Sequence, residues 1–276
     1  MLYVCPTPIG NLEDITLRVL RILEEADYIA AEDTRHTRQL LNHFEIRNRL
    51  TSLHEHNERE KLGQILQLLK EGKTVALVSD AGMPGISDPG ALVIKETIDA
   101  GLPVTVLPGA NAAITAYVQS GLVCDQFLFY GFLPRKGKER RRALKQLEDL
   151  PFPIIFYEAP HRLCSTLADL LEYLGNRHTA VSRELTKRFE ETRRGSLTEV
   201  LAYFENHSPR GEFVITVAGA ERCPQAEITE DDIRQTLNKL MEQGLSRKTA
   251  IQEVSQEYRL PKNKVYEIAL SLKSKI

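Results

Sequence analysis

The 276-residue chain is long enough for about two domains with a sizeable core, and its 42% hydrophobic and 27% charged residues suit a soluble globular protein. A formal net charge of -2 excludes a broadly basic coating, although a local basic patch can still hold a polyanion. Cys5, Cys124, Cys164 and Cys223 form no C-x-x-C pair, no basic leader opens the chain and no apolar run approaches ~18 residues, so reduced thiols, a cytoplasmic location and no membrane insertion are expected.

Leu2 to Cys5 reads as a strand that runs into the rigid loop Pro6-Thr7-Pro8-Ile9-Gly10-Asn11. Asp14 or Thr16 is placed to cap a helix with Leu17, Leu20 and Leu23 on its apolar side. Tyr28 to Glu32 is the next strand, and Asp33-Thr34-Arg35-His36 opens a second helix. Leu50 to Leu53 reads as a strand followed by His54, Glu55, His56 and Asn57, and a helix from about Glu58 to Lys70 turns Leu62, Ile65, Leu66 and Leu69 inward. Thr74 to Gly90, TVALVSDAGMPGISDPG, joins a short buried strand to a loop of glycines and prolines and a helix start at Ser87-Asp88-Pro89-Gly90. Glycine lets backbone approach a ligand and proline holds a loop in one shape, so a rigid polar crevice is expected at this strand exit. A helix to about Ala100, a strand from Pro103 to Leu107 and a helix opened by Pro108-Gly109-Ala110-Asn111 complete an α/β domain, residues 1–120, with a mostly parallel sheet.

Gly121 to Asp125 reads as a linker. Beyond it, strands at Gln126 to Tyr130, Pro153 to Tyr157, Thr179 to Ser182 and Glu212 to Val217 alternate with helices at about His161 to Tyr173 and Ser196 to Phe204. These make a second α/β domain, residues 121–220, mixed in strand direction. Residues 226–276 form a small helical tail: Thr229 or Glu230 starts one helix, Ser246 caps a second to about Tyr258, and Pro261 starts a third with Val265, Ile268, Ala269 and Leu272 inward. Two short helices across a four-residue turn resemble a helix-turn-helix unit, and Arg247 to Lys275 holds seven Lys/Arg against three Glu. That pattern suits either a nucleic-acid contact or a packing element that caps a dimer.

No G-x-G-x-x-G follows the first strand and no G-x-x-x-x-G-K-[ST] occurs, so ordinary dinucleotide binding and P-loop hydrolysis have no support. His54 and His56 alternate on one side of an extended segment, but no matching third ligand is evident; polar surface or substrate contact is expected there, and no metal. Arg135 to Lys145 carries seven Lys/Arg against one Glu, enough to neutralise several phosphates with binding that falls steeply in salt. Its members Arg135, Lys136, Lys138, Arg140, Arg141 and Arg142 are the candidate contacts to a polyanion, and become RNA contacts only by the resemblance given below. No aromatic ladder accompanies them, so base stacking is not expected. Ser182-Arg183-Glu184-Leu185-Thr186-Lys187-Arg188-Phe189-Glu190 leaves a strand with guanidinium, carboxylate and ammonium groups close together, as a reaction wall or an ion-paired surface would. Tyr157-Glu158-Ala159-Pro160-His161-Arg162 has the same strand-turn-helix layout, and these exits are expected to meet those of the first domain across one crevice.

The segments LYVCPTPIGNLEDITLR, AEDTRHTRQLL, SLHEHNE, VSDAGMPGISDPG, VLPGANA, GFLPRKGKER, FYEAPHRL and SRELTKRFEE together resemble the ribosomal RNA small subunit methyltransferase I family over nearly all of residues 1–220. The resemblance implies the tetrapyrrole methylase fold of class III methyltransferases, a homodimer, and methyl transfer from S-adenosylmethionine to the ribose 2'-oxygen of a cytidine in the decoding region of 16S rRNA within the small ribosomal subunit. By the same resemblance the cofactor lies between the two α/β domains and touches Pro8, Asp80, Ala81, Gly82, Met83, Pro84, Ser87, Asp88, Ala110, Tyr157 and Thr216. Asn111 stands where relatives often carry serine. For the chemistry, Lys187 or Arg183 would stabilise the developing alkoxide, Glu184 or Glu190 would accept a proton or orient the cation, and a neutral Lys187 base would need a lowered pKa. Two competing readings are a methylase acting on a porphyrin or corrin, which has no use for the basic segment, and a ribosome assembly module that binds RNA without catalysis.

Overall fold

Leu2 and Val4 of the first strand, β1 (Leu2–Val4), pack on one side of a sheet while Tyr3 and the following Cys5 pack on the other. That two-sided burial marks a sheet covered by helices on both faces. In the computed structural model, which describes residues 1–54, 57–220, 230–242, 244–257 and 261–271, β1 is joined by β2 (Tyr28–Ala31), β3 (Leu50–Ser52), β4 (Val75–Val78) and β5 (Val104–Val106). All pairings are parallel, in the order β3-β2-β4-β1-β5. Helices α1 (Leu17–Glu25) and α2 (Thr34–His43) cover one face through Val19, Ile22, Leu23 and Leu41. On the other face, α3 (Glu58–Lys70) and α4 (Ala91–Asp99) bury Ile65, Leu69 and Val93. Thr16 is the cap of α1, its hydroxyl accepting from the Val19 N–H, and Asp33 caps α2 by accepting from Arg35 N–H.

The carboxyl ends of β1 and β4 lie side by side in the middle of this sheet, and their loops are tied together. Thr7 N–H donates to the Gly82 carbonyl at 2.9 Å, and Gly82 N–H returns a bond to Thr7 at 3.0 Å. Gly82 sits at φ +80°, and a Cβ there would press on Ile9 at 3.3 Å, so the pairing of these two loops needs glycine at this position.

The second sheet holds β6 (Leu128–Phe132), β7 (Ile154–Glu158), β8 (His178–Arg183), β9 (Glu191–Ser196) and β10 (Phe213–Val217), in the order β6-β7-β10-β8-β9. Only β6 and β7 run parallel. Strand β9 has no counterpart among the strands expected from the sequence: ETRRGS has no apolar alternation, and it pairs along β8 as an edge strand with Arg193 and Arg194 exposed. One face of the sheet is covered by α6 (Gly137–Leu147), α7 (Leu163–Leu174) and α8 (Leu197–Asn206), around Phe156, Phe213 and Ile215. The other face is covered by α5 (Ala112–Ser120), through Ala113, Ala116 and Tyr117 against Ile155, Leu185 and Val214. Thus α5 follows the first sheet in sequence but packs on the second, and Ile9 from the β1 loop joins the same apolar cluster.

The chain divides into two compact units, Met1–Ala220 and Glu221–Ile276. In the smaller unit, α9 (Glu230–Glu242), α10 (Arg247–Glu257) and α11 (Lys262–Ser271) bury Leu237, Ala250, Val254, Val265 and Ala269. Ser246 caps α10, its hydroxyl accepting from Thr249 N–H at 3.2 Å. Thr229, Tyr258 and Leu272 lie outside the described residues. Among those described, no helix is long and apolar enough to cross a membrane.

Candidate active site

The tied loops of β1 and β4 face the ends of β7 and β10, and two cavities lie between them. The first, of about 320 Å³, is walled by Ala81, Gly82, Met83, Ser87 and Asp88 from the β4 loop and by Tyr157 from β7, as the sequence suggests. It also takes in Asn111 of the donor loop and Glu158 at the end of β7, together with Ile9, Phe132, Leu185 and the segment from Glu212 to Val214, for which the sequence gives no such assignment. The second cavity, about 480 Å³, holds Pro8 and Asp80 and shares Ile9, Ala81 and Glu212 with the first. Pro84 is buried behind its loop and Ala110 packs at the α5 seam, so they shape walls without lining either cavity. Thr216 corrects the expectation: it is 1% exposed, two residues beyond Val214 inside β10, and away from both cavities. Asn111 caps α5 by accepting from Ile114 N–H at 3.1 Å, a task serine performs equally well.

The loop after β8 supplies the polar centre. Glu184 and Thr186 have φ of +48° and +66°, a left-handed backbone that non-glycine residues seldom adopt and that tends to collect at functional sites. Glu184 N–H donates to the Glu212 carbonyl, and Glu212 N–H returns a bond to Glu184 Oε1, both at 3.0 Å. Lys187 Nζ then donates to Glu184 Oε1 at 3.0 Å and to Glu212 Oε2 at 2.8 Å. Gly10 of the β1 loop abuts this turn so closely that a Cβ would fall 2.4 Å from Lys187 Cγ. Lys187 thereby lines the second cavity, with Glu212 between the two. The other two residues expected here point elsewhere. Arg183 pairs with Glu191 at 2.8 Å across the β8–β9 hairpin. Glu190 fastens the turn, accepting from Thr186 N–H at 2.6 Å and from Gln119 Nε2 at 3.0 Å.

Residues 1–201 match the tetrapyrrole (corrin/porphyrin) methylase family, and residues 227–273 match the RsmI C-terminal HTH domain. The chain is 47% identical over 270 residues to the ribosomal RNA small subunit methyltransferase I of Halalkalibacterium halodurans, covering 97% of this chain and 93% of that one. It is 44% identical to the protein of the same name from Synechocystis sp. over 275 residues, 99% of each chain. The chain belongs to the ribosomal RNA small subunit methyltransferase I family. Solved structures at lower identity share the fold. The methyltransferase CobJ superimposes with a TM-score of 0.61 at 20% identity over 79% of this chain and 94% of its own. Uroporphyrin-III C-methyltransferase from Thermus thermophilus, in complex with S-adenyl homocysteine, does so with a TM-score of 0.56 at 18% identity over 78% and 96%.

In this member of the methyltransferase I family, the first cavity is a cradle short of positive charge. Asp33 N–H donates to Asp80 Oδ1 at 3.0 Å, and Asp80 N–H to Glu32 Oε2 at 3.3 Å, so three carboxylates gather where β2 and β4 end, with Asp80 on the wall of the second cavity and Asp88 on that of the first. Burial pushes the Asp88 carboxyl up from its ordinary value, and the charge of Asp80 pushes it further. Burial likewise raises Glu32; the bond from Asp80 N–H opposes this, while the charges of Asp80, Asp88 and Asp33 add to it. The electrostatics of Lys187 run the other way. Burial alone would lower its pKa, but bonds and ion pairs with Glu212 and Glu184 outweigh that and raise it, so Lys187 is an ammonium and not the neutral base left open by the sequence. Burial would raise Glu184, yet the Glu212 N–H and Lys187 bring it below its usual value, which makes it a holder of the cation and a poor proton acceptor.

The basic segment begins three residues after Phe132 of the cavity wall, and Arg135, Lys136, Lys138, Arg141 and Arg142 are exposed along it. Arg140 is not one of them and corrects the expectation for that residue. Only 7% exposed, it donates to Asp169 Oδ2 at 2.5 Å, to the Pro134 carbonyl at 3.0 Å and to Thr166 Oγ1 at 2.9 Å. Thr166 in turn donates to Glu158 Oε2 at 2.5 Å, so Arg140 braces the carboxylate that lines the first cavity. Glu55 and His56 lie outside the described residues; among those described, no group of three or more His, Cys, Asp and Glu is placed to hold a metal ion.

Proposed function

We propose that this protein transfers a methyl group from S-adenosylmethionine to the ribose 2'-oxygen of a cytidine in the decoding region of 16S rRNA within the small ribosomal subunit. Membership of the family supports the reaction, and the observation that carries it is the meeting of two cavities at Glu212, which holds the Lys187 ammonium in the second. Ala81, Gly82, Met83, Asp88, Asn111 and Tyr157 would hold the cofactor in the first cavity, where apolar walls suit a flat adenine ring and the Asp88 carboxylate suits a cationic ligand. When bound, it supplies a methyl group on a cationic sulfur that departs as a neutral thioether.

The chain's own share is alignment and charge. Holding donor and acceptor on either side of Glu212 supplies the orientation that lowers the barrier by several kcal/mol. Lys187, fixed by two carboxylates, donates to the sugar oxygen as negative charge builds on it, an effect of about 3 kcal/mol for one well-placed donor. Glu212 is the exposed carboxylate beside both cavities and takes the hydroxyl proton as the carbon–oxygen bond forms. Arg135, Lys136, Lys138, Arg141 and Arg142 hold rRNA phosphates outside the cleft. Labelled methyl transfer to purified small subunits, followed by mapping of the modified nucleotide, tests the reading; label at a cytidine ribose supports it, and label on a base or none at all refutes it.

We also propose that the protein acts in the cytoplasm as a homodimer. The support for pairing is apolar surface concentrated in one stretch: Val106, Ile114, Val118 and Val123 are all exposed, and β5 is a sheet edge.

A further inference from the structure

The second cavity has walls that select its occupant. Pro8, Leu12 and Leu40 are apolar, while His36, Thr37 and Gln39 come from α2. Charge in this space is mostly negative: Asp80 and Glu212 line it, and the ammonium of Lys187 is already shared between Glu184 and Glu212. A phosphate entering here would meet carboxylates and a cation already paired, whereas the exposed cations of the basic segment lie outside both cavities. What fits is uncharged, flat and polar at its edges, which describes a nucleoside without its phosphates. One further feature points to a ligand: Thr37 is 2% exposed, and its hydroxyl has no hydrogen-bond partner among the described residues. Buried orphan hydroxyls are costly and rare.

Given the methyl transfer proposed above, on which this step rests, we infer that the target nucleotide leaves its stack and places its sugar and base in the second cavity, with Thr37, Gln39 and His36 as specificity-determining residues that read the base edge. Lys187 lines this cavity beside Glu212, so a nucleotide everted into it brings its 2'-hydroxyl to the ammonium while its base meets the α2 side chains. Unstacking costs a few kcal/mol. Leu12, 37% exposed at the rim, and Leu40 offer apolar contact that offsets part of it. The Gln39 amide presents an acceptor for the N4 amino group of cytosine and a donor for its N3, a pair that uracil, with a carbonyl at position 4, does not match in the same orientation, and the otherwise unpartnered Thr37 hydroxyl adds a further contact.

The test uses the full-length protein, small ribosomal subunits carrying either cytidine or uridine at the mapped position, and a fluorescent cytosine analogue placed there in a second substrate. Thr37→Val and Gln39→Ala are each expected to lower kcat/KM roughly tenfold while leaving affinity for S-adenosylhomocysteine and for the subunit unchanged, and to narrow the preference for cytidine over uridine. Gln39 is exposed, so its variant keeps the test valid if Thr37→Val unfolds. The analogue is expected to brighten on binding wild type as it unstacks. Both variants matching wild type in kcat/KM and nucleotide preference, or an analogue that stays quenched in the complex, overturns the nucleoside pocket while the transfer reaction stands. A wild-type enzyme that moves no methyl group to the subunit overturns the reaction itself, and the pocket with it.

Discussion

Asp88 pays in stability for its position at the donor cradle. Its carboxyl is held above the usual range by burial first and by Asp80 second. A raised folded-state pKa contributes stability below the unfolded value, and that contribution is lost as pH rises through the folded one, so at neutral pH the ionised group destabilises the empty protein. Asp88→Asn is therefore expected to melt higher than wild type without ligand at about pH 7, with the difference shrinking as pH falls and the raised carboxyl of wild type takes up its proton. The same change removes a counter-charge, so it should weaken S-adenosylmethionine binding. Melting curves over that pH range, with and without donor, read both effects, and a donor-free variant that melts lower than wild type would contradict them. The importance of Asp80 to Asp88 is legible because glycines and prolines crowd that loop. Glu212 is not, although it stands between Gly211 and the apolar run FVITV. A Cβ on Gly211, at φ +87°, would fall 2.5 Å from Glu184 Oε1, and such long-range closeness has no local signal. The left-handed turns at Glu184 and Thr186 are hidden for a related reason: tertiary bonds impose them on residues whose own preference is otherwise.

Helix α6 divides its arginines between two tasks. Arg140 lies on the same stripe as Ala143, Leu144 and Leu147, the i, i+3, i+4, i+7 pattern of a buried face. The sequence contains that signal, but the density of charge around it masks it. Arg140→Ala would strand Asp169 and loosen the Thr166–Glu158 bond, with an expected loss of about 3–5 kcal/mol in stability and no change in the salt dependence of RNA binding at a temperature where it stays folded. Arg141→Ala with Arg142→Ala should do the reverse: thermal stability is retained, while the slope of log affinity against log salt falls by about 0.7–0.9 for each phosphate that is no longer neutralised. Equal salt slopes for the double variant and wild type would remove this helix from the RNA interface. Strand β9 teaches the opposite lesson from α6. Its polar hexapeptide carries no periodic signal because an edge strand needs only one paired partner, and β8 provides it.

At the scale of the molecule, the alternation of short apolar strands with amphipathic helices is enough to indicate two α/β sheets and a helical tail. Which sheet α5 serves is not legible in the same way, because its apolar residues suit either surface and packing on Ile155 and Val214 decides the matter. For the pairing proposed from the exposed valines between Val106 and Val123, light scattering of the intact chain is expected to give twice the monomer mass, and Val118→Asp to shift it toward one; a monomeric wild type would refute the pairing. Two cavities that share Glu212, the carboxylate that holds Lys187, are what make this architecture a transferase. Single-turnover methylation of small subunits by Lys187→Ala, alongside calorimetry with S-adenosylhomocysteine, addresses that claim at its centre. Turnover should fall on the order of 100-fold or more with ligand affinity unchanged; turnover near that of wild type would show that the ammonium beside Glu212 takes no part in the transfer.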